Sequence, residues 1–197
     1  MIFAPNLLLS PRRTVAAPTA TQTLAFYYWT AHYVKRILET LFVHNFSRAT
    51  MPLLNLFKNT SYYAGAAAIV GFTINAPGYA DPGLFPDQTS ICLGVAAFFQ
   101  LLNFWTHLQL ANMRKPGETG YKIPRGLLFR FVCCPNYTTE IYAWLAFALG
   151  TQSIAALGFA CVGAAQMIEW AFIKYKRLRG LFGPSYPKRY VILPPVL

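Results

Sequence analysis

Long stretches without a charged residue alternate with short basic ones along this chain. Uncharged runs cover residues 14–34, 59–80, 88–113 and 141–168, each reaching the ~20 residues that a membrane-crossing helix requires. The last run is interrupted by Gly150-Thr151-Gln152-Ser153, which reads as a turn and not as lipid-buried helix. It therefore divides into one helix that ends near Leu149 and another over residues 154–174. Spans are expected at about 23–46, 60–75, 88–113, 135–149 and 154–174. Periodicity does not separate a membrane helix from a buried one, but length and charge depletion leave little room for a soluble core. The pattern predicts an all-α, polytopic membrane helix bundle of about five transmembrane helices. Residues 1–22 form an N-terminal tail ahead of a membrane-embedded domain over 23–197.

Composition agrees: 55% of residues are hydrophobic and 12% charged, against a soluble norm of about a quarter charged. The net charge of +11 suggests nucleic acid at first sight, but its distribution argues against that partner. Thirteen of the 17 Lys and Arg fall in three places, at Arg48 and Lys58, over 114–130 and over 174–189. With five spans these lie on one side, and the segment 80–90, with Asp81 and Asp87 and no basic residue, lies on the other. That is the positive-inside pattern. A basic face suits a phosphate-bearing cofactor or acidic lipid headgroups equally.

Chemistry is sparse elsewhere. Cys92, Cys133, Cys134 and Cys161 show no CxxC spacing, so neither a disulfide framework nor a zinc site is expected. His32, His44 and His107 are far apart in sequence, and no metal site is predicted. A Rossmann GxGxxG, a P-loop and a nucleophile elbow are all missing from the sequence, so a nicotinamide cofactor would be held by other means. The tail before Gln22 carries Arg12 and Arg13 and no acid, which resembles a mitochondrial or plastid transit sequence. A surface-lying tail is the alternative.

Three polar groups stand out against this background. The first span carries Lys35, Arg36 and Glu39 in its second half, with Lys35 and Glu39 at an i,i+4 spacing that allows an internal ion pair. Snorkelling at the interface is the simpler account of those charges. The third span carries Gln100, Asn103, His107 and Gln109 near its basic end, and Asn103 and His107 share a face on which Arg114 falls next. Such a stripe also serves merely to join helices. Between residues 122 and 140, a basic glycine-bearing loop runs into Cys134-Pro135-Asn136-Tyr137 and Glu140. Pro135 suits the first turn of a helix, and spacings of three and four let Asn136, Tyr137 and Glu140 share a face at the mouth of an uncharged span. A helix cap with an interfacial tyrosine anchor is the bland reading.

The motifs CPNYTTE, KRILETLFVHNFS over 35–47 and RKPG over 114–117 together resemble the steroid 5-alpha-reductase superfamily, and within it the very-long-chain trans-2-enoyl-CoA reductases. The resemblance runs from about Tyr33 to the C-terminus. It implies NADPH-dependent reduction of the trans-2 double bond of long-chain enoyl-CoA, as in fatty acid elongation. By the same resemblance Tyr137 and Lys35 are catalytic, Tyr33 and Glu39 meet the substrate, and Asn103, His107, Arg114, Asn136 and Glu140 hold NADPH. Membrane lipid and acyl-CoA are the expected partners, and the endoplasmic reticulum the expected membrane.

The chain also departs from that family's pattern. A family Arg is replaced by Ala111, a Tyr by Arg179, and the acids before Tyr186-Pro187 by Pro184 and Ser185. Relatives carry further helices before the motif that begins at Lys35. These departures support an alternative: a structural or lipid-binding subunit of a larger membrane complex, in the mitochondrial inner membrane, with chemistry reduced or lost. Steroid or polyprenol reduction is a further variant, suggested by Tyr33 and the RKPGE loop.

Overall fold

The computed structural model describes residues 17–45, 50–113, 120–192 and 194. The tail over 1–16, Arg48, the loop from Arg114 to Gly117 and the last three residues lie outside the described residues. Five long helices account for the fold: α1 (Ala20–Phe42), α2 (Leu53–Ile74), α3 (Gln88–Asn112), α4 (Pro135–Thr151) and α5 (Ile154–Phe182). This is the all-α, polytopic membrane bundle that the sequence predicts. Among the described residues, α3 and α5 are the two helices long and apolar enough to cross a membrane. By contrast, α1 carries Lys35, Arg36 and Glu39 in its second half and α4 has 17 residues.

Helix ends follow local chemistry. Thr19 caps α1 by accepting from the Gln22 amide while the Gln22 side chain accepts from the Thr19 amide, a reciprocal box that satisfies two otherwise orphaned donors. Pro135 opens α4 as expected. Gln152, at φ 45°, ends α4, and Ser153 caps α5 through the Ala156 amide, so the predicted turn at 150–153 falls where it was placed. The second helix differs from expectation. It begins at Leu53, seven residues before the span expected from residue 60; Pro52, at φ −55° and ψ 135°, stands just ahead of it, and the polar residues Asn55, Lys58 and Asn59 lie on a largely exposed first half where helix costs nothing in burial.

Contacts between helix ends give the topology. Thr21 bonds Thr89 at 2.9 Å and Glu39 meets His107 at 3.0 Å, so α1 and α3 run parallel. Gln88 donates to the Leu149 carbonyl at one end and Asn103 to the Asn136 carbonyl at the other, each at 2.8 Å, so α4 lies antiparallel against α3. The two helices pack closely at Gly150, where an added Cβ would stand 2.8 Å from the Cys92 Cβ. Tyr62 donates to the Phe159 carbonyl, and Thr73 bonds Ser153, setting α2 antiparallel to α5. The C-terminal ends of α1, α3 and α5 thus share one end of the bundle with the N-terminal ends of α2 and α4. Lys122, Arg125, Arg130 and the basic residues of 174–189 belong to that end, while Asp81 and Asp87 lie at the other.

An aromatic cluster holds the bundle centre. Trp29, Trp144 and Phe147 are buried, with ring centroids 5.1–5.8 Å apart, and Phe159 of α5 closes on Trp144 at 4.8 Å. In lipid, apolar surface gains little by leaving its solvent, so close packing drives association. Each edge-on aromatic pair adds about 1 kcal/mol. Outward positions such as Ile37, Leu41, Phe72, Leu101 and Val162 are exposed and apolar, as a lipid-facing surface requires.

Candidate active site

Lys35, on the inner side of α1, is the hub of the basic end. Its ammonium donates to the Gln100 side-chain oxygen at 2.8 Å and to the Asn103 side-chain oxygen at 2.7 Å, and stands 3.3 Å from Glu39. Glu39 is 1% exposed. Its other oxygen accepts from Arg36 at 2.6 Å, and His107 approaches at 3.0 Å. The charges are therefore paired inside the bundle and do not merely snorkel. Asn103, also buried, uses both ends of its carboxamide: it accepts from Lys35 and donates to the backbone carbonyl of Asn136. Lys35 is thus linked through Asn103 to the first turn of α4, where Thr139 donates to the Pro135 carbonyl at 2.9 Å and to the Asn136 carbonyl at 3.2 Å.

Asn136, Tyr137 and Glu140 all lie in α4, within one arc of about 100° as their spacing predicts, and meet different neighbours across it. The backbone carbonyl of Asn136 accepts from Asn103 of α3. Glu140 turns to α1, accepting from Trp144 at 2.7 Å and lying 3.5 Å from His32. Tyr137 turns to α5 and the C-terminal segment, packing with Cys133, Ile141, Ala171 and Leu178 and 6.3 Å from the Trp170 ring. Among the described contacts none joins Lys35 to Tyr137. Tyr33 stacks edge-on to His32 and near Tyr63, with its hydroxyl buried. Arg114 lies outside the described residues.

Some of what the structure assembles was hidden in the sequence. His44, beyond the end of α1, places its ring 5.0 Å from His107; burial first, then the His107 and Arg36 charges, holds it below the ordinary histidine value. Glu39, His44 and His107 bring one ligand atom each within 4.8 Å of one another. The sequence reading saw no metal set here, since residues 39, 44 and 107 share no motif. Lys35 and Arg36 already bracket that carboxylate, so its charge is balanced without a further cation. His32 beside Glu140 was likewise unforeseen, although its spacing of three from Lys35 puts both on one face of α1.

A second polar knot lies at the foot of α4. Cys134 and Cys133 sulfurs are 3.8 Å apart, and the Tyr186 hydroxyl donates to the Cys133 sulfur at 3.1 Å. The Cys134 thiol above all, then Tyr186, Lys174 and Arg189, holds the Cys133 thiol down to about 6 against the opposing effect of burial. Cys134 is pushed up in turn.

The structure thus combines a membrane bundle with a basic end, a part-buried Lys35 beside buried Glu39, Asn103 and His107, and a helix that starts Pro-Asn-Tyr. Over residues 49–197 the chain matches the family of 3-oxo-5-alpha-steroid 4-dehydrogenases, and it belongs to that family. It is 45% identical to the very-long-chain enoyl-CoA reductase of Dictyostelium discoideum, over 99% of this chain and 63% of the relative. It is 41% identical to a probable very-long-chain enoyl-CoA reductase of Caenorhabditis elegans, over 88% of this chain and 58% of the relative. To the trans-2,3-enoyl-CoA reductase-like protein of Mus musculus it is 32% identical, over 88% of this chain and 50% of the relative. The chain therefore spans between half and two thirds of the length of these relatives.

Proposed function

We propose that this protein reduces the trans-2 double bond of a long-chain enoyl-CoA, with NADPH as hydride donor, in the endoplasmic reticulum membrane. Membership of a reductase family and relatives named enoyl-CoA reductases support the reaction class. The observation that carries the assignment of residues is the path from Lys35 through Asn103 to Asn136, which ends one residue before Tyr137.

A nicotinamide cofactor fits the polar groups around that path. Asn136 Oδ1 is buried and has no hydrogen-bond partner among the described residues. An unpaired buried donor or acceptor costs about 1–3 kcal/mol, and a carboxamide, which both donates and accepts, would relieve such costs. Asn136 and Gln100 would hold it, with His107 and Glu140 as further polar groups, and Arg114 is the residue expected to meet the cofactor's phosphates. Bound NADPH would supply the hydride for the β-carbon.

Tyr137 is the proton and hydrogen-bond donor to the thioester oxygen. Its ring packs against the cluster formed by Cys133, Ile141, Ala171 and Leu178. Charge developing on that oxygen is stabilised by a donor held in place beforehand. Lys35 acts as a positioning residue: it fixes Asn103, and Asn103 fixes the turn that carries Tyr137. Glu39, 3.3 Å away, orients the Lys35 ammonium, and Tyr33 lines the substrate side of α1.

The test is loss of NADPH absorbance by the purified chain in lipid nanodiscs with a long-chain trans-2-enoyl-CoA. Formation of the saturated acyl-CoA is the expected result. A subunit without turnover, the alternative drawn from the sequence, predicts no loss under conditions where a full-length relative is active. A steroid or polyprenol substrate in the same panel decides between the two substrate classes.

A further inference from the structure

Outside the polar cluster, the basic end holds a cleft of ≈760 Å³ between two segments that are distant in sequence, residues 123–130 and 185–189. Arg125, Arg130 and Arg189 line it, and no carboxylate is among its lining residues. The two walls are tied together. Cys133 donates its amide to the Tyr190 carbonyl at 2.8 Å, and Tyr190 donates to the Phe131 carbonyl at 2.9 Å. Arg189 crosses from one wall to the other, donating to the Pro124 carbonyl at 3.2 Å while its guanidinium lies 5.0 Å from the Tyr186 ring centroid. Its Nε is buried without a partner, so one donor of that fork is left over.

The cleft is also fixed relative to the candidate active site. Gly126, at φ 128°, leaves no room for a Cβ because the Gln109 side chain of α3 presses on it, which seats the loop on the end of α3 that carries His107. The same loop runs on through Cys134 into the turn that presents Tyr137. One guanidinium held across a tied frame, Arg189, with the exposed Arg125 and Arg130 on the facing wall, makes a site for phosphate esters, since the planar fork matches phosphate oxygens in pairs. A lysine patch on a mobile surface would not.

We propose that this cleft takes the phosphorylated nucleotide handle of the CoA thioester, with Arg125, Arg130 and Arg189 on its 3′-phosphate and pyrophosphate. The inference rests on the enoyl-thioester reading, and it adds a substrate-specificity site that lies apart from the Lys35 cluster. The acyl chain then enters the bundle beside Tyr137 while the handle stays at the basic end. An anionic lipid headgroup offers the same phosphate chemistry, and so does the cofactor, so the test must separate three sources.

In the full chain reconstituted into phosphatidylcholine nanodiscs, kcat/KM is measured for one trans-2-enoyl group carried on CoA and on pantetheine, for the parent and for Arg125→Gln/Arg130→Gln. The double variant is expected to lose about tenfold on the CoA ester, the scale of one or two charge-assisted contacts, and far less on the pantetheine ester, with KM for NADPH unchanged. Equal losses on both esters, or a matching rise in KM for NADPH, overturn the proposal. Direct binding of adenosine 3′,5′-bisphosphate to parent and variant gives a second readout that needs no turnover. A parent that binds this probe about tenfold more tightly than the variant yet reduces nothing keeps the cleft and removes the enzymatic reading; a parent that turns over but binds the probe no better than the variant does the reverse. Phosphatidylserine nanodiscs separate the lipid: if they abolish probe binding by the parent, the headgroup owns the cleft and the proposal falls.

Discussion

The Lys35 ammonium and the Asn103 side-chain oxygen, 68 residues apart in sequence, lie 2.7 Å apart across the contact between α1 and α3. Through its other end Asn103 holds the Asn136 carbonyl at 2.8 Å, so a charge on the first helix fixes the first turn of the fourth. If this path positions Tyr137, Lys35→Met and Asn103→Ala should each lower kcat by about 100-fold, the scale of a misplaced catalytic group, with little change in KM for NADPH. The double variant should be no worse than either single one, because the two act in series. Additive losses would show that they act separately.

Glu39 is the buried member of a group whose cations are part-exposed. Glu39→Gln removes the charge and keeps the shape, leaving Lys35 and Arg36 without their carboxylate. A buried pair costs several kcal/mol to break and an exposed one under about 1, so a loss of about 2 kcal/mol is expected here. Thermal unfolding in nanodiscs measures it, and an unchanged midpoint would mean that the group contributes nothing to stability.

At Gly150, α4 packs closely on α3. Gly150→Ala should destabilise the bundle by about 1–3 kcal/mol through overpacking, since its new Cβ meets the Cys92 Cβ at 2.8 Å. Cys92→Gly in the same chain should restore most of that loss. Destabilisation that Cys92→Gly leaves untouched would place the clash elsewhere.

The vicinal thiols titrate together. Cys133 is held to about 6 by the Cys134 thiol first, with Tyr186, Lys174 and Arg189 in support, so the pair should release its first proton below the usual thiol range of about 8.5. Cys134→Ala or Tyr186→Phe each removes a donor to the Cys133 thiolate and should move that step to higher pH. Ultraviolet absorbance of the thiolate follows it directly, and a step that stays in place in both variants would rule out the assigned cause.

Arg114 is expected to carry the adenosine phosphate of the cofactor. Arg114→Ala should raise the KM for NADPH far more than that for NADH, because a guanidinium matters most where a second phosphate needs it. Equal effects on the two cofactors would remove Arg114 from the site.

The sequence by itself determined the membrane bundle, the helix order and the break at residues 150–153, because charge depletion over a span's length and turn-forming residues are properties of the chain alone. It also set Lys35 with Glu39, and Asn103 with His107, since one helix repeats its face every three or four residues. Helical spacing could not say which neighbour each face would meet. Only the packed structure decided that Lys35 would spend its ammonium on Asn103 and not beside Tyr137, that Glu140 would meet His32 of α1 while Tyr137 packs toward α5, and that His44 would close on His107. Contacts between groups some 60–70 residues apart depend on crossing and register, which are settled by side-chain volume at points such as Gly150 and Cys92 and by the requirement that every buried charge find its partner.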